Sequence, residues 1–179
     1  DDDMPVPADN EGSVTGQVDE DALVPDGNND SADGDDPGGT TASGGVGSLL
    51  TLFDIGADQP GEIVLLTDTS GLPALFTNGV PVTYNVAGNV LTASAGVGNP
   101  VFTLTVNANG SWSFELLDQL DHPTAGTEDN LLLDFSSIIS AEDADGDPAD
   151  GALPAGSFVI DVDDDMPVPA DNEGSVTGQ

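Results

Sequence analysis

Asp143, Asp145 and Asp147 stand two residues apart in Glu142-Asp143-Ala144-Asp145-Gly146-Asp147, with a glycine placed where a tight turn is needed. Carboxylates so spaced can converge on a hard divalent cation that accepts six to eight oxygens, and the chain has no cysteine and one histidine to offer other donors. Calcium, as several ions, is the cofactor this pattern predicts. The loop is not an EF-hand, because the twelfth position counted from Asp143 is Pro154, where a bidentate Glu belongs. A second cluster, Asp161, Asp163, Asp164 and Asp165, follows an alternating run, Phe158-Val159-Ile160-Asp161-Val162. Phe158, Ile160 and Val162 share one face of a strand, so Asp161 and Asp163 share the other.

The carboxylates have almost no protein cation to face. The 179 residues hold 34 Asp plus Glu, no Lys and no Arg, a formal charge of -34. Two carboxylates about 4 Å apart repel by roughly 1 kcal/mol in water and about 4 kcal/mol at an effective dielectric near 20, so folding calls for a cation from solution. Nucleic-acid binding, lysine or arginine phosphate cradles and Schiff-base chemistry are excluded, as are disulfides and thiolate metal sites. No 18-residue apolar run is present, so no membrane insertion is expected. The acidic start, Asp1-Asp2-Asp3, is not a signal region and reads as a piece excised from something larger.

Residues 163–179 repeat residues 1–17 identically, as DDDMPVPADNEGSVTGQ. A period of 162 residues is the size of a self-contained domain in a tandem array. The reading is an inter-repeat linker over 1–12, a folded repeat over 13–162 with an acidic, Gly-rich insertion at 19–47, and over 163–179 a linker and the first strand of the next repeat. Asp1, Asp2 and Asp3 copy the acids of the exit, and Pro5 and Pro7 stiffen it. A cation bridging Asp163–Asp165 to Glu11, or to Asp19, Glu20 and Asp21 of the next repeat, would fix the angle between units. A solvated acidic turn or a self-repelling linker is the plainer reading of each cluster.

Strands must position these groups. Alternation and turn signals predict strands over 49–55, 62–67, 81–86, 89–93, 101–107, 111–117, 130–139 and 157–162. The clearest hairpin puts Phe102, Leu104 and Val106 on one face, turns at Asn107-Ala108-Asn109-Gly110, and returns Trp112, Phe114 and Leu116 to that face. With 23 glycines, 13 prolines and little helical periodicity, the fold class is all-β, an immunoglobulin-like β-sandwich with calcium-binding end loops.

The segments VFTLTVNANGSWSFELL, LDQLDHP, GTEDNLLLDF, AEDADGD and FVIDVDDDMP resemble the repeat units of very large type I-secreted, RTX-type bacterial adhesins, relatives of VCBS and cadherin-like repeats. The resemblance covers roughly residues 81–175. It implies extender domains rigidified by extracellular calcium on a Gram-negative cell surface, where they project a ligand-binding tip for adhesion and biofilm formation. Asp143, Asp145 and Asp147 would be loop ligands and Asp163–Asp165 junction ligands. The partners would be neighbouring repeats of the same polypeptide, and the chain would be monomeric.

Catalysis is not expected. His122, in Leu120-Asp121-His122-Pro123, reads as a structural histidine in a turn, and paired carboxylates for glycoside chemistry lack an aromatic sugar platform, since Trp112 and Tyr84 fall on core faces. The alternative function is a calcium-dependent, lectin-like carbohydrate-binding module.

Overall fold

The computed structural model describes residues 4–9, 12–23, 39–123 and 130–164. Strands in chain order are β1 (Val6–Pro7), β2 (Val14–Asp19), β3 (Thr41–Gly44), β4 (Phe53–Asp54), β5 (Glu62–Leu65), β6 (Phe76–Thr77) and β7 (Val80–Ala87). There follow β8 (Val90–Ala95), β9 (Pro100–Val106), β10 (Trp112–Leu116), β11 (Asn130–Asp134), β12 (Ile139–Glu142) and β13 (Phe158–Asp163). The chain is all-β. Its helical residues among those described form only short 3-10 turns, none long and apolar enough to cross a membrane.

Two sheets carry the architecture. One has the order β3-β10-β9-β8-β7-β6, the other β11-β13-β2, and two-stranded pairs β1-β4 and β12-β5 complete the set. The predicted hairpin forms as read: Trp112 pairs with Val106, Phe114 with Leu104 and Leu116 with Phe102, and all six are buried. Its turn closes through Gly110, whose φ of 83° is open to glycine and costly for other residues. Rings from this hairpin meet rings at the other sheet: Trp112 stacks edge-on to Phe158 at 5.0 Å, and Phe102 and Phe114 lie 5.8 and 6.1 Å from Phe135. Gly16 of β2 is small because Trp112 and Ile160 fill the space beside it, to 2.8 and 2.9 Å from where a Cβ would stand.

Four expectations change. The strand expected over 49–55 is a 3-10 turn, Leu49–Leu52, that hands over to the two-residue β4. The strand expected over 130–139 breaks after Asp134, which accepts the Ser136 N–H at 3.0 Å and bonds the Ser136 hydroxyl at 2.5 Å; this cap diverts the chain into a 3-10 turn and then into β12, which pairs with β5 instead of continuing the first ladder. Thr41–Gly44, inside the segment taken as an insertion, pairs along β10. Part of the segment read as a linker lies on the same body: Val6 and Pro7 pair with Asp54 and Phe53, and Pro5 accepts the Asp150 N–H at 2.8 Å.

The first long strand and the last run side by side and parallel. Phe158 is beside Val14 and Asp163 beside Asp19. Burial along β13 alternates as its sequence predicts, with Phe158, Ile160 and Val162 inside.

Candidate metal centre

The same alternation that buries Val18 sends Glu20 inward at the end of β2. Asp19 closes the strand by accepting the Asp21 N–H at 2.8 Å, and a 3-10 turn, Glu20–Ala22, follows. Glu20 is 1% exposed. Its Oε1 accepts the Leu120 N–H at 2.8 Å and lies 3.4 Å from Nε2 of His122. The Leu120–His122 segment is held by its neighbour: the two carboxylate oxygens of Asp121 accept the N–H groups of Asn78 and Gly79, each at 2.8 Å, while the Asp121 N–H donates to Phe76. Asp164, one residue past β13, completes a group with Glu20 and His122 whose ligand atoms all lie within 4.8 Å of one another. Among the described residues this is the trio of carboxylate and imidazole groups able to hold a metal ion.

Electrostatics at this end favour taking up positive charge. Burial pushes the Glu20 carboxyl above its ordinary value, and Asp164 adds to this, while hydrogen bonds from His122 and Leu120 and the charge of His122 oppose it. Burial also raises Asp161, helped by Asp163 and opposed by Asn130 and His122. Asn130 bonds both Asp161, at 2.9 Å, and Asp163, which Gln17 also contacts. One oxygen of Asp161, Oδ1, is buried with no hydrogen-bond partner.

The sequence placed the partners of Asp163 and Asp164 on the next repeat. In this chain Asp163 lies beside Asp19 of its own β2, and Asp19, Glu20 and Asp21 are all buried at the exit of β13. Asp1, Asp2, Asp3, Glu11 and Asp165 lie outside the described residues. The Asp143–Asp147 loop is elsewhere, next to the entry, since Asp150 bonds Pro5. Asp143 is 3% exposed and uses Oδ1 to accept the N–H groups of Asp145 and Asp147 at 3.1 and 2.9 Å, so it caps its own loop. Gly146, at φ 87°, makes the turn. Asp145 is exposed, and these three aspartates form no trio within 4.8 Å, yet Asp143 Oδ2 is buried without a hydrogen-bond partner.

His122 is the residue that sequence reasoning set aside. Its side chain is 3% exposed and faces a buried carboxylate. The legible signal was parity, because Val14, Gly16, Val18 and Glu20 fall on one face, so Glu20 had to meet something inside. Compared with known proteins, the chain matches no family model, no curated protein and no solved structure.

Proposed function

We propose that the chain is a structural extender repeat of a large, calcium-dependent, type I-secreted bacterial surface adhesin. In this reading it is an immunoglobulin-like β-sandwich that helps hold a ligand-binding tip away from a Gram-negative cell. The observation that carries the reading is the parallel pairing of β2 with β13. Because β2 and β13 run parallel, the chain enters this ladder beside Phe158 and leaves it beside Asp19, at opposite ends, as a bead on a rod requires.

The repeated sequence sharpens this. Asp164 matches Asp2 and Pro167 matches Pro5, the residue whose carbonyl takes the Asp150 N–H. In a tandem array two residues, Asp165 and Met166, would separate the exit of one unit from the first docked position of the next. Three steps of chain span at most about 11 Å, so successive units would abut. Calcium would act at the entry loop, and at Asp161 and Asp163 beside the exit. The buried Asp143 Oδ2 beside the entry is an oxygen that a hard cation would satisfy. An ion that binds only the folded form stabilises it by mass action, and extracellular calcium at about 10⁻³ M saturates sites of the 10⁻⁴ to 10⁻³ M class. The lectin-like alternative has less to stand on, because Trp112 is 3% exposed and the Tyr84 hydroxyl is bonded to Pro73.

Small-angle scattering on a two-repeat polypeptide tests the reading. In millimolar calcium the maximum dimension should approach twice that of one repeat, and it should shrink or broaden in chelator. Dimensions that ignore calcium, or a bent particle in its presence, would refute the rigid extender.

A further inference from the structure

We infer that Glu20, His122 and Asp164 bind one transition-metal ion of the zinc class, in preference to calcium. The assignment stands whether or not the chain is an extender repeat. Calcium takes oxygen ligands, whereas a set of one imidazole and two carboxylates suits zinc and its neighbours. Two donors 2.0–2.1 Å from a tetrahedral ion stand about 3.3 Å apart. Nε2 of His122 and Oε1 of Glu20 are 3.4 Å apart, longer than the ~2.9 Å of a usual N–H···O bond and close to the edge of such a site. Glu20 Oε1 also holds the Leu120 N–H, a contact of the kind that orients a metal-binding carboxylate from behind.

The surroundings supply the charge. Glu20 and His122 have side chains 2% and 3% exposed, in a chain without Lys or Arg to compensate a buried carboxylate. Asp164 is partly exposed, so an ion can arrive from solvent on its side. The three ligands come from the end of β2, the segment after β10 and the end of β13, separated by 102 and 42 residues of sequence. An ion here would staple β2 and β13 to the segment that leaves the hairpin, and its binding energy would become folding energy.

His122 is the sole histidine, which makes its ring nitrogens a single unambiguous reporter. The experiment is a titration of the ¹⁵N-labelled chain with zinc chloride and, separately, with calcium chloride, following the imidazole nitrogens by long-range ¹H–¹⁵N correlation. Zinc should shift Nε2 with one-to-one stoichiometry and abolish the titration of the ring with pH, and calcium should do neither. Calorimetry on His122→Gln should show zinc affinity falling by at least about 100-fold, since losing a group that only orients a ligand costs 10–100-fold. Asp164→Asn, at a partly exposed position, is the second variant should His122→Gln fail to fold, and it should weaken zinc at least about 10-fold. An imidazole unmoved by zinc, or moved equally by calcium, overturns the assignment, as does zinc binding at wild-type strength in folded variants.

Discussion

Glu20 Oε1 and His122 Nε2 lie 3.4 Å apart across 102 residues of sequence, both side chains almost wholly buried. The pair ties the edge of one sheet to the turn that leaves the other, at the end where the chain exits. An inward carboxylate is costly without a cation, and the only basic side chain in the protein has been brought to it.

The cost of that carboxylate gives the first prediction. Glu20→Gln keeps an acceptor for the Leu120 N–H and removes the charge, so in chelator at pH 8 the variant should melt a few degrees above the wild type, on the order of 1 kcal/mol. The same variant should lose most of the rise that zinc gives the wild type. A variant that melts lower in chelator and still responds fully to zinc would show that Glu20 is neither a strained charge nor a ligand.

Asp134 supplies a pH dependence with a definite sign. Burial pushes its carboxyl up, but the Ser136 hydroxyl and the N–H groups of Ser136 and Gly156 outweigh this and hold it below the ordinary value of 3.8. A depressed acid stabilises the fold above its unfolded value, and the contribution is lost as pH falls through the lower folded value. Asp134→Ala should therefore cost about 1–3 kcal/mol at neutral pH, by leaving donors without an acceptor, and the gap to wild type should narrow as pH is taken below 3.8. Urea melts at pH 7 and at acid pH measure this; an equal gap at both would sink it.

At the entry loop, Asp143→Asn and Asp143→Ala separate two roles. Asparagine retains a carbonyl for the Asp145 and Asp147 N–H groups and weakens only the interaction with a cation. We expect it to leave the melt in chelator within about 1 kcal/mol of wild type while reducing the calcium-induced rise. Alanine removes the cap as well and should cost a further ~1–3 kcal/mol even without calcium. If both variants respond to calcium as the wild type does, the loop binds no ion.

Gly16→Ala tests the packing between β2 and the hairpin. A Cβ would stand 2.8 Å from Trp112 and 2.9 Å from Ile160, so the ring or the strand must move, at about 1–3 kcal/mol. Trp112 is the only tryptophan, and its fluorescence should shift with the loss of stability. An unchanged spectrum and midpoint would mean that β2 does not lie against that ring.

Alternation made the hairpin legible, because Phe102, Leu104, Val106, Trp112, Phe114 and Leu116 each had one face available and the Asn-Gly turn fixed the register. It did the same for β13, whose inward Phe158, Ile160 and Val162 leave Asp161 and Asp163 on the other face. Composition by itself fixed the absence of any basic side chain but one. What alternation could not say was which strand each strand would meet. Pairing β13 with β2 brings together residues about 144 positions apart, a choice made by burying Phe158 against Trp112 and by fitting Gly16 under Trp112 and Ile160, and no local pattern records it. Asp163 and Asp164 therefore found their neighbours within their own chain, and His122, unremarkable in its turn, became the partner of Glu20 only when two sheets closed over both.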